Sequence, residues 1–198
     1  MSTVVEHQDA ATATSTTPRV PKGFEFVGGQ LVEKRMSVAS SWIGGQIYRL
    51  IANHCQETGV GWAFPPETGC QCFQDSPLMV RKPDTLFVKA VRMGWDQVGD
   101  GWLKVVPDLV VEVISPGDKA YEVDGKVELF LKAGVPLIWV VNPDVRTVRI
   151  LRGDGSTALL REGHDLSGEE VIPGFTCPVT SVFPPRPSAA AVASPTEV

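Results

Sequence analysis

The chain has 198 residues, of which 43% are apolar, and a mean hydropathy of +0.03, values typical of one globular domain with a substantial core. It has no apolar run long enough to span a bilayer and no signal-peptide pattern, so we expect no membrane segment and a cytoplasmic location. The net charge of -5 argues against a protein that coats nucleic acid, because non-specific binding to phosphates depends on Lys and Arg.

Both ends of the chain have compositions typical of unfolded tails. Residues 1–20 are rich in Thr, Ala and Ser, and residues 184–198 are rich in Pro, Ala and Ser. Such segments bury too little apolar area to offset the entropy lost on ordering. We therefore predict tails at 1–20 and 184–198 and one folded domain at 21–183.

The first part of this domain predicts a β-hairpin followed by a helix. Residues 24–27 and 30–33 are short strand-like runs on either side of Gly28-Gly29. Next, Ser40-Ser41 can cap a helix whose apolar residues recur at helical spacing as far as Cys55. Further strands are predicted around residues 60–64, 68–73 and 84–90.

The second part predicts a strand, a helix and a strand. Residues 107–116 form a nearly continuous β-branched run, which is typical of a central strand covered on both faces. Residues 119–133 carry apolar side chains at helical spacing, and residues 135–141 form another buried strand, expected to be parallel to the first. Runs at 147–152 and 156–161 predict a peripheral hairpin. The prediction is an α/β (α+β) domain with a mixed sheet.

The cysteine pattern favours neither a disulfide scaffold nor a zinc site. The chain has four cysteines, and they are too few and too scattered for a disulfide framework. Cys70 and Cys72 are separated by one residue rather than the two of a typical zinc hook. We interpret them as small buried residues on one face of a strand.

Three acidic residues stand at positions where a carboxylate needs an explanation. Glu112 interrupts an apolar strand, and a buried carboxylate is unfavourable unless it is paired, protonated or bound to a cation. Asp108 lies four residues earlier and shares its face, and Asp84 follows Pro83 where a strand begins. Alternatively, Asp108 caps its strand, Glu112 pairs with a helix lysine, and Asp84 only accepts backbone hydrogen bonds.

One lysine of the predicted helix can reach the same region. Lys126 lies at the border of the buried stripe and can direct its ammonium toward the sheet. The alternative is a lysine that lies over the sheet and pairs with acids of its own helix. Two carboxylates that bind Mg²⁺, beside a lysine that orients water and stabilises phosphate charge, meet the requirements of phosphodiester hydrolysis.

Pro-Asp on one strand, followed by a glutamate on the next central strand, resembles the PD-(D/E)XK nuclease superfamily. That pattern places a lysine two residues after the glutamate, where this chain has Ile114. The segment PDLVVEVISPGDKAYEVDGKVELFLKAGVPLIWVVNP is similar to the Uma-two family of endonucleases, a branch in which the lysine lies on the following helix. The N-terminal segment GQLVEKRMSVASSWIGGQIYRLI also resembles that family.

The resemblance implies a restriction-endonuclease-like fold, with a mixed β-sheet flanked by helices, and often a homodimer. It implies that Asp84 and Glu112 hold the metal and that Lys126 is the displaced catalytic lysine. Glu33 matches a further acidic position, and we expect Glu33 or Asp108 to support the site.

The charge around Glu112 bears on how such an enzyme meets nucleic acid. Between residues 108 and 128 there are six acidic residues and two lysines, so this segment repels phosphate unless a cation is bound. Arg81 and Lys82, just before Asp84, are the best placed phosphate contacts, although they are also typical of a solvated surface pair. Other candidates for phosphate contact are Lys34, Arg35, Arg49 and Arg92.

The leading hypothesis is an endonuclease dependent on Mg²⁺, or on Mn²⁺, that cleaves nucleic acid, with DNA as the expected substrate. The second hypothesis is a catalytically silent protein that keeps the nuclease fold for binding or assembly. The acidic charge and the missing strand lysine motivate it. A third hypothesis is a hydrolase of another class that uses the paired acids as general acid and base.

Overall fold

The computed structural model describes residues 18–99 and 101–186, so most of both predicted tails lies outside the described residues. Two α-helices, α1 (Val38–Thr58) and α2 (Ala120–Lys132), occur in this part of the chain, together with short 3₁₀ turns at Trp95–Gln97 and Val179–Val182. The strands are β1 (Phe24–Val27), β2 (Gln30–Glu33), β3 (Gly61–Phe64), β4 (Thr85–Lys89), β5 (Leu109–Val113), β6 (Leu137–Asn142), β7 (Thr147–Arg152), β8 (Thr157–Arg161), β9 (Asp165–Ser167) and β10 (Thr176–Pro178). Neither helix is both long enough and apolar enough to cross a membrane.

Six strands form the central sheet, in the order β3-β4-β5-β6-β7-β8. The pair β5 and β6 is parallel, and the other neighbouring pairs are antiparallel. The mixed α+β architecture predicted from the sequence is therefore confirmed, including the parallel strands joined through α2. The predicted peripheral hairpin is β7 and β8, and it continues the main sheet at one edge.

Alternating residues of the central strands face two separate cores. Leu109 and Val111 of β5 pack with α1, and Val110 packs with α2, because successive strand residues point to opposite faces. The α1 side includes Ile47, and the α2 side includes Phe130. Burial on both faces explains the continuous apolar run of β5.

The N-terminal hairpin forms as predicted, with β1 and β2 antiparallel and Phe24 opposite Glu33. Gly28 and Gly29 make the turn with φ angles of 59° and 81°, values that glycine adopts without steric strain. The hairpin is attached to the segment before β4, because Phe26 and Val80 exchange two backbone hydrogen bonds of 2.9 Å each.

Helix α1 begins earlier and ends later than its sequence pattern indicates. Ser37 is the N-cap, since its side chain accepts from the backbone N–H of Ser40 and the Ser40 hydroxyl accepts from the Ser37 N–H. At the other end the helix continues past Cys55 to Gly59, which has a φ of 69°. The cap therefore lies three residues before the serine pair that the sequence favours.

One local prediction is wrong, and one element of the structure was not predicted. Residues 68–73 form no named strand, because Cys70 makes only isolated bridges, to Arg81 and Leu103. The short hairpin of β9 and β10 was not predicted, since strands of three residues carry too little alternation to be recognised. Packing also extends past the predicted domain limits, because Val20 is buried and Pro184 accepts a hydrogen bond from Arg146.

Candidate active site

Glu112 lies on β5 and faces α2, next to Lys126. Its side chain is 8% exposed, and its Oε2 atom is 3.5 Å from Lys126 Nζ. Its Oε1 atom is buried and has no hydrogen-bond partner among the residues that the structure describes. Because buried polar atoms are nearly always satisfied, this free oxygen indicates a position prepared for a ligand, a water or a cation.

The surroundings of Glu112 favour its protonated form. Burial is the largest cause, and with the negative charge of Asp84 it raises the Glu112 pKa to about 7, against the opposing effects of Lys126 and Lys34. Conversely, the charge of Glu112 raises the pKa of Lys126 above its usual value. Lys126 is therefore a cation at neutral pH, able to donate hydrogen bonds and not to remove a proton.

Asp84 stands at the start of β4, beside the end of β5 that carries Glu112. Its backbone N–H donates to Val111 O at 2.9 Å, and its Oδ2 atom accepts from the Val113 N–H at 2.7 Å. Its Oδ1 atom is 2.8 Å from the ammonium of Lys34, and both side chains are buried. These two hydrogen bonds continue the pairing of β4 with β5 by one residue, and they fix Asp84 against the segment of β5 that contains Glu112.

A close approach by α1 fixes the position of Asp84. A Cβ placed on Gly44 would lie 3.1 Å from Asp84 Cβ and 3.4 Å from Asp84 O, whereas a Cβ on Gly45 would meet nothing within 4 Å. The hydroxyl of Thr85 also donates to Gly44 O at 3.0 Å. Helix α1 therefore presses directly on the backbone that carries the carboxylate.

These neighbouring glycines give a matched pair of substitutions. Gly45→Ala is expected to raise the free energy of unfolding by about 0.5–1 kcal/mol, because alanine is favoured over glycine inside a helix. Gly44→Ala should not raise the free energy of unfolding, since its new methyl group displaces Asp84. Urea unfolding of both variants measures the difference, and equal stabilisation would contradict the close contact.

Glu25 is a buried carboxylate at the site that the sequence analysis missed. It is 2% exposed on β1, where Oε2 accepts from Arg81 Nη1 and Oε1 accepts from the Lys82 N–H, each at 2.8 Å. Burial opposes its ionisation, but the charges of Lys126 and Arg81 and these hydrogen bonds lower its pKa overall. Its sequence signal, a charge between Phe24 and Phe26, resembles that of Glu112 between two valines.

Glu25, Glu112 and Lys126 border one pocket with a volume of about 450 Å³, whereas Asp84 lies behind its wall, bound to the lining residue Lys34. Glu25 and Glu112 supply acidic groups in its wall, and four cations, Lys34, Arg35, Arg81 and Lys126, also line it. The Nε atom of Arg81 is buried and has no partner among the described residues. A pocket with carboxylates beside several cations can hold a divalent ion next to a phosphate group.

The other predicted site residues lie in different surroundings. Glu33 lines the pocket, on a strand whose residues are all exposed. Asp108 is at the opposite end of β5, where its oxygens accept from the Lys89 N–H and from Arg92. The structure therefore does not bring Asp108 to the pocket, although it shares the strand with Glu112.

Among the predicted phosphate contacts, Arg81 lines the pocket and Lys82 does not. Lys82 is 2% exposed, and its ammonium donates to Pro21 O and pairs with Glu67. We therefore correct the prediction that Lys82 contacts a phosphate, because a buried and paired ammonium does not reach the backbone of a bound nucleic acid. Of the remaining candidates, Arg35 lines the pocket, and Lys34 is buried and paired with Asp84. Arg49 donates a hydrogen bond to Gln46, and Arg92 forms an ion pair with Asp108.

The donor chemistry of the site fits a divalent cation of the magnesium type. In residues 18–99 and 101–186, no cluster of three or more His, Cys, Asp or Glu side chains is arranged to share an ion. Mg²⁺ does not require one, because it keeps several waters and is often held by one or two carboxylates. Asp84 and Glu112 are the two that would hold it, and the free oxygen of Glu112 is the observation that fits.

Comparison with known proteins relates the chain to nucleases. The crystal structure of "a putative nuclease belonging to DUF820" from Anabaena variabilis superposes with a TM-score of 0.72 at 20% identity, covering 83% of this chain and 92% of that one. This similarity shows a shared fold. No curated protein matches the sequence significantly. A family model described as "Putative restriction endonuclease" matches residues 18–180, most of the chain, which therefore belongs to the Uma2 family.

Proposed function

We propose that the chain is a Mg²⁺-dependent endonuclease that hydrolyses phosphodiester bonds, with DNA as its substrate. The observation that carries the proposal is the Glu112 carboxylate, which has one oxygen near Lys126 and the other without a partner in the described chain. The family description and the fold shared with a nuclease support the same reaction class. Mn²⁺ is expected to replace Mg²⁺, because both prefer oxygen ligands.

In this proposal Asp84 and Glu112 hold the ion, which would supply Lewis acidity and a water of lowered pKa. Asp84 is positioned by its hydrogen bond from the Val113 N–H. Lys126 donates hydrogen bonds to the attacking water and stabilises negative charge on the phosphate, since it remains protonated. Glu33 supports the site from the exposed strand of the hairpin.

The substrate phosphate is proposed to contact Arg81 from the pocket wall. Glu25 accepts from Nη1 of this guanidinium, and the part of the side chain that remains exposed, 15%, lines the pocket. Arg35 lines the same pocket and donates to Gly117 O at 2.6 Å. Fixed arginine donors suit a phosphate because their planar geometry matches its oxygens.

Nicking of supercoiled plasmid tests this proposal. The wild-type protein should cleave only with Mg²⁺ or Mn²⁺ present, and Lys126→Ala should lower the rate about a hundredfold or more, the usual effect of losing a group that stabilises charge in the transition state. Lys132→Ala, on the exposed face of the same helix, is the matched control and should retain wild-type cleavage. Cleavage that is independent of metal, or equal in both variants, would contradict the proposal.

The second candidate function is a silent nuclease fold that binds or assembles without cleaving. It is favoured by one observation, that both oxygens of Asp84 already have partners. Calorimetry with Mn²⁺ separates the two candidates. Binding by the wild type that is lost in Asp84→Asn supports the metal site, and binding by neither leaves the silent fold.

A homodimer is proposed from the family resemblance. Light scattering after size-exclusion chromatography should give twice the 21.4 kDa mass of the chain. A monomer at the same concentration as the cleavage assays would contradict this part of the proposal without affecting the metal site.

A further inference from the structure

Lys34 is bound to Asp84 in the interior of the site. Its Nζ atom lies 2.8 Å from Asp84 Oδ1, and only 3% of the lysine side chain and 6% of the aspartate side chain are exposed. Val32, two residues earlier on β2, is exposed, and Lys34 becomes buried only just after that strand ends. The ammonium is directed inward to a carboxylate that the proposed function assigns to the metal.

We propose that Lys34 is an internal cation that occupies Asp84 in the metal-free protein and has to leave it when a divalent cation binds. This inference rests on the proposed function, because it takes Asp84 as a metal ligand. It adds a competition within the chain that sets the affinity of the site.

The hydrogen-bond partners of Asp84 leave only one of its two oxygen atoms able to bind a metal. Oδ2 accepts from the Val113 N–H at 2.7 Å, and replacing that bond would leave a buried backbone donor unsatisfied. Oδ1 is the remaining oxygen, and it is held by Lys34. A divalent ion on Oδ1 would lie within a few ångströms of the ammonium, where two cations repel strongly at low dielectric. Metal and ammonium therefore exclude each other at this atom.

Each buried carboxylate of the site has a cation of its own. Glu25 is paired with Arg81 and Glu112 with Lys126, while Asp84 is paired with Lys34. This pairing explains how the fold tolerates the acidic cluster before metal is bound, since unpaired buried charges are strongly destabilising. Glu112 keeps one oxygen free in spite of its pair, so the exchange is needed only at Asp84.

The displaced side chain has space to move. Lys34 lines the active-site pocket and also a second cavity of about 380 Å³, which Glu33, Ser37 and Ser115 border. A lysine side chain has four rotatable bonds and can turn from one cavity to the other without moving the strand. The exposed carboxylate of Glu33 is available as its new partner.

Mn²⁺ affinity, measured by calorimetry on the full chain, tests the competition. Lys34→Gln keeps a neutral donor for Asp84, and Lys34→Met removes the donor as well. Both should bind Mn²⁺ about tenfold more tightly than the wild type, or more, because the competing charge is gone. Arg92→Met is the matched control, since it removes a cation from the buried Asp108 outside the pocket, and its affinity should equal that of the wild type.

A second measurement uses only the wild-type protein and covers the case in which a variant fails to fold. The Lys34 amine should react faster with an acylating reagent when Mn²⁺ is present, as measured by mass spectrometry of its peptide, because the ammonium leaves Asp84.

The outcomes separate this inference from the proposed function. Tighter binding in the Lys34 variants, or faster acylation with Mn²⁺, supports the competition. Unchanged or weaker Mn²⁺ binding in Lys34→Gln, with unchanged acylation, overturns it and leaves the metal site intact. No Mn²⁺ binding by any form overturns the metal site itself, and the competition with it.

Discussion

Glu112→Gln is expected to reduce metal-dependent cleavage about a thousandfold or more, with the fold retained. The substitution keeps the size of the side chain and removes the charge that would hold the cation. A bound metal supplies several kcal/mol of stabilisation to the transition state, and each loss of about 1.4 kcal/mol is tenfold in rate. The rate of plasmid nicking at saturating Mg²⁺ measures the loss.

The matched control for this variant is Glu128→Gln on the exposed face of α2. It makes the same chemical change at an exposed carboxylate, so it reports any effect of a lost negative charge on nucleic acid binding. Its cleavage rate should remain that of the wild type. If Glu112→Gln cleaves as fast as Glu128→Gln, Glu112 has no role in cleavage.

The pH dependence of stability should differ between the wild type and Glu112→Gln by about 3 kcal/mol in the absence of metal. The folded state raises the Glu112 pKa from 4.5 to about 7, mainly through burial. As pH rises through this interval the unfolded chain loses the proton first, so the contribution of Glu112 to stability is lost, by about 1.4 kcal/mol for each pH unit. Glu112→Gln lacks this loss.

Urea unfolding at pH 4, 5, 6, 7 and 8 in the presence of a chelator measures the effect, since these pH values bracket the shift from 4.5 to about 7. The free energy of unfolding of Glu112→Gln relative to the wild type should increase with pH up to about 7 and then level off. Glu25, whose pKa is lowered, is present in both proteins and makes each of them more stable as pH rises, in the opposite direction to Glu112. A difference that stays constant from pH 5 to pH 8 would show that Glu112 is not desolvated.

Sequence patterns predicted the strands that are covered on both faces and the helices whose apolar residues recur at regular spacing. The continuous apolar run of β5 and the helical spacing of α2 predicted both elements to within a few residues, because every residue of β5 is buried and the apolar residues of α2 recur on one face of the helix. Residues 68–73 were assigned to a strand wrongly, since their pairing depends on distant segments around Arg81 and Leu103. No local pattern carries that information.

For predicting the residues of the candidate site, the chemical type of a side chain was more informative than its spacing along the sequence. A carboxylate within an apolar run identified Glu112, and the structure places Lys126 beside it. Asp108 was predicted to join the site because it shares a strand face with Glu112. It lies instead at the far end of β5, next to Arg92, since residues four apart on one face of a strand are too distant for contact. Lys34 and Glu25 were missed as partners, since the hairpin is brought over the sheet only by tertiary contacts such as Phe26 with Val80.

The separation of the Glu112–Lys126 pair depends on how a helix packs against a sheet. When both groups belong to one strand, backbone geometry alone fixes their distance. Here the lysine is carried by α2, and Val127 and Phe130 determine how closely that helix lies on β5 and β6. The hydrophobic core between helix and sheet thus sets the spacing of the two proposed catalytic groups, so a change of side-chain volume there is expected to alter the proposed cleavage as well as stability.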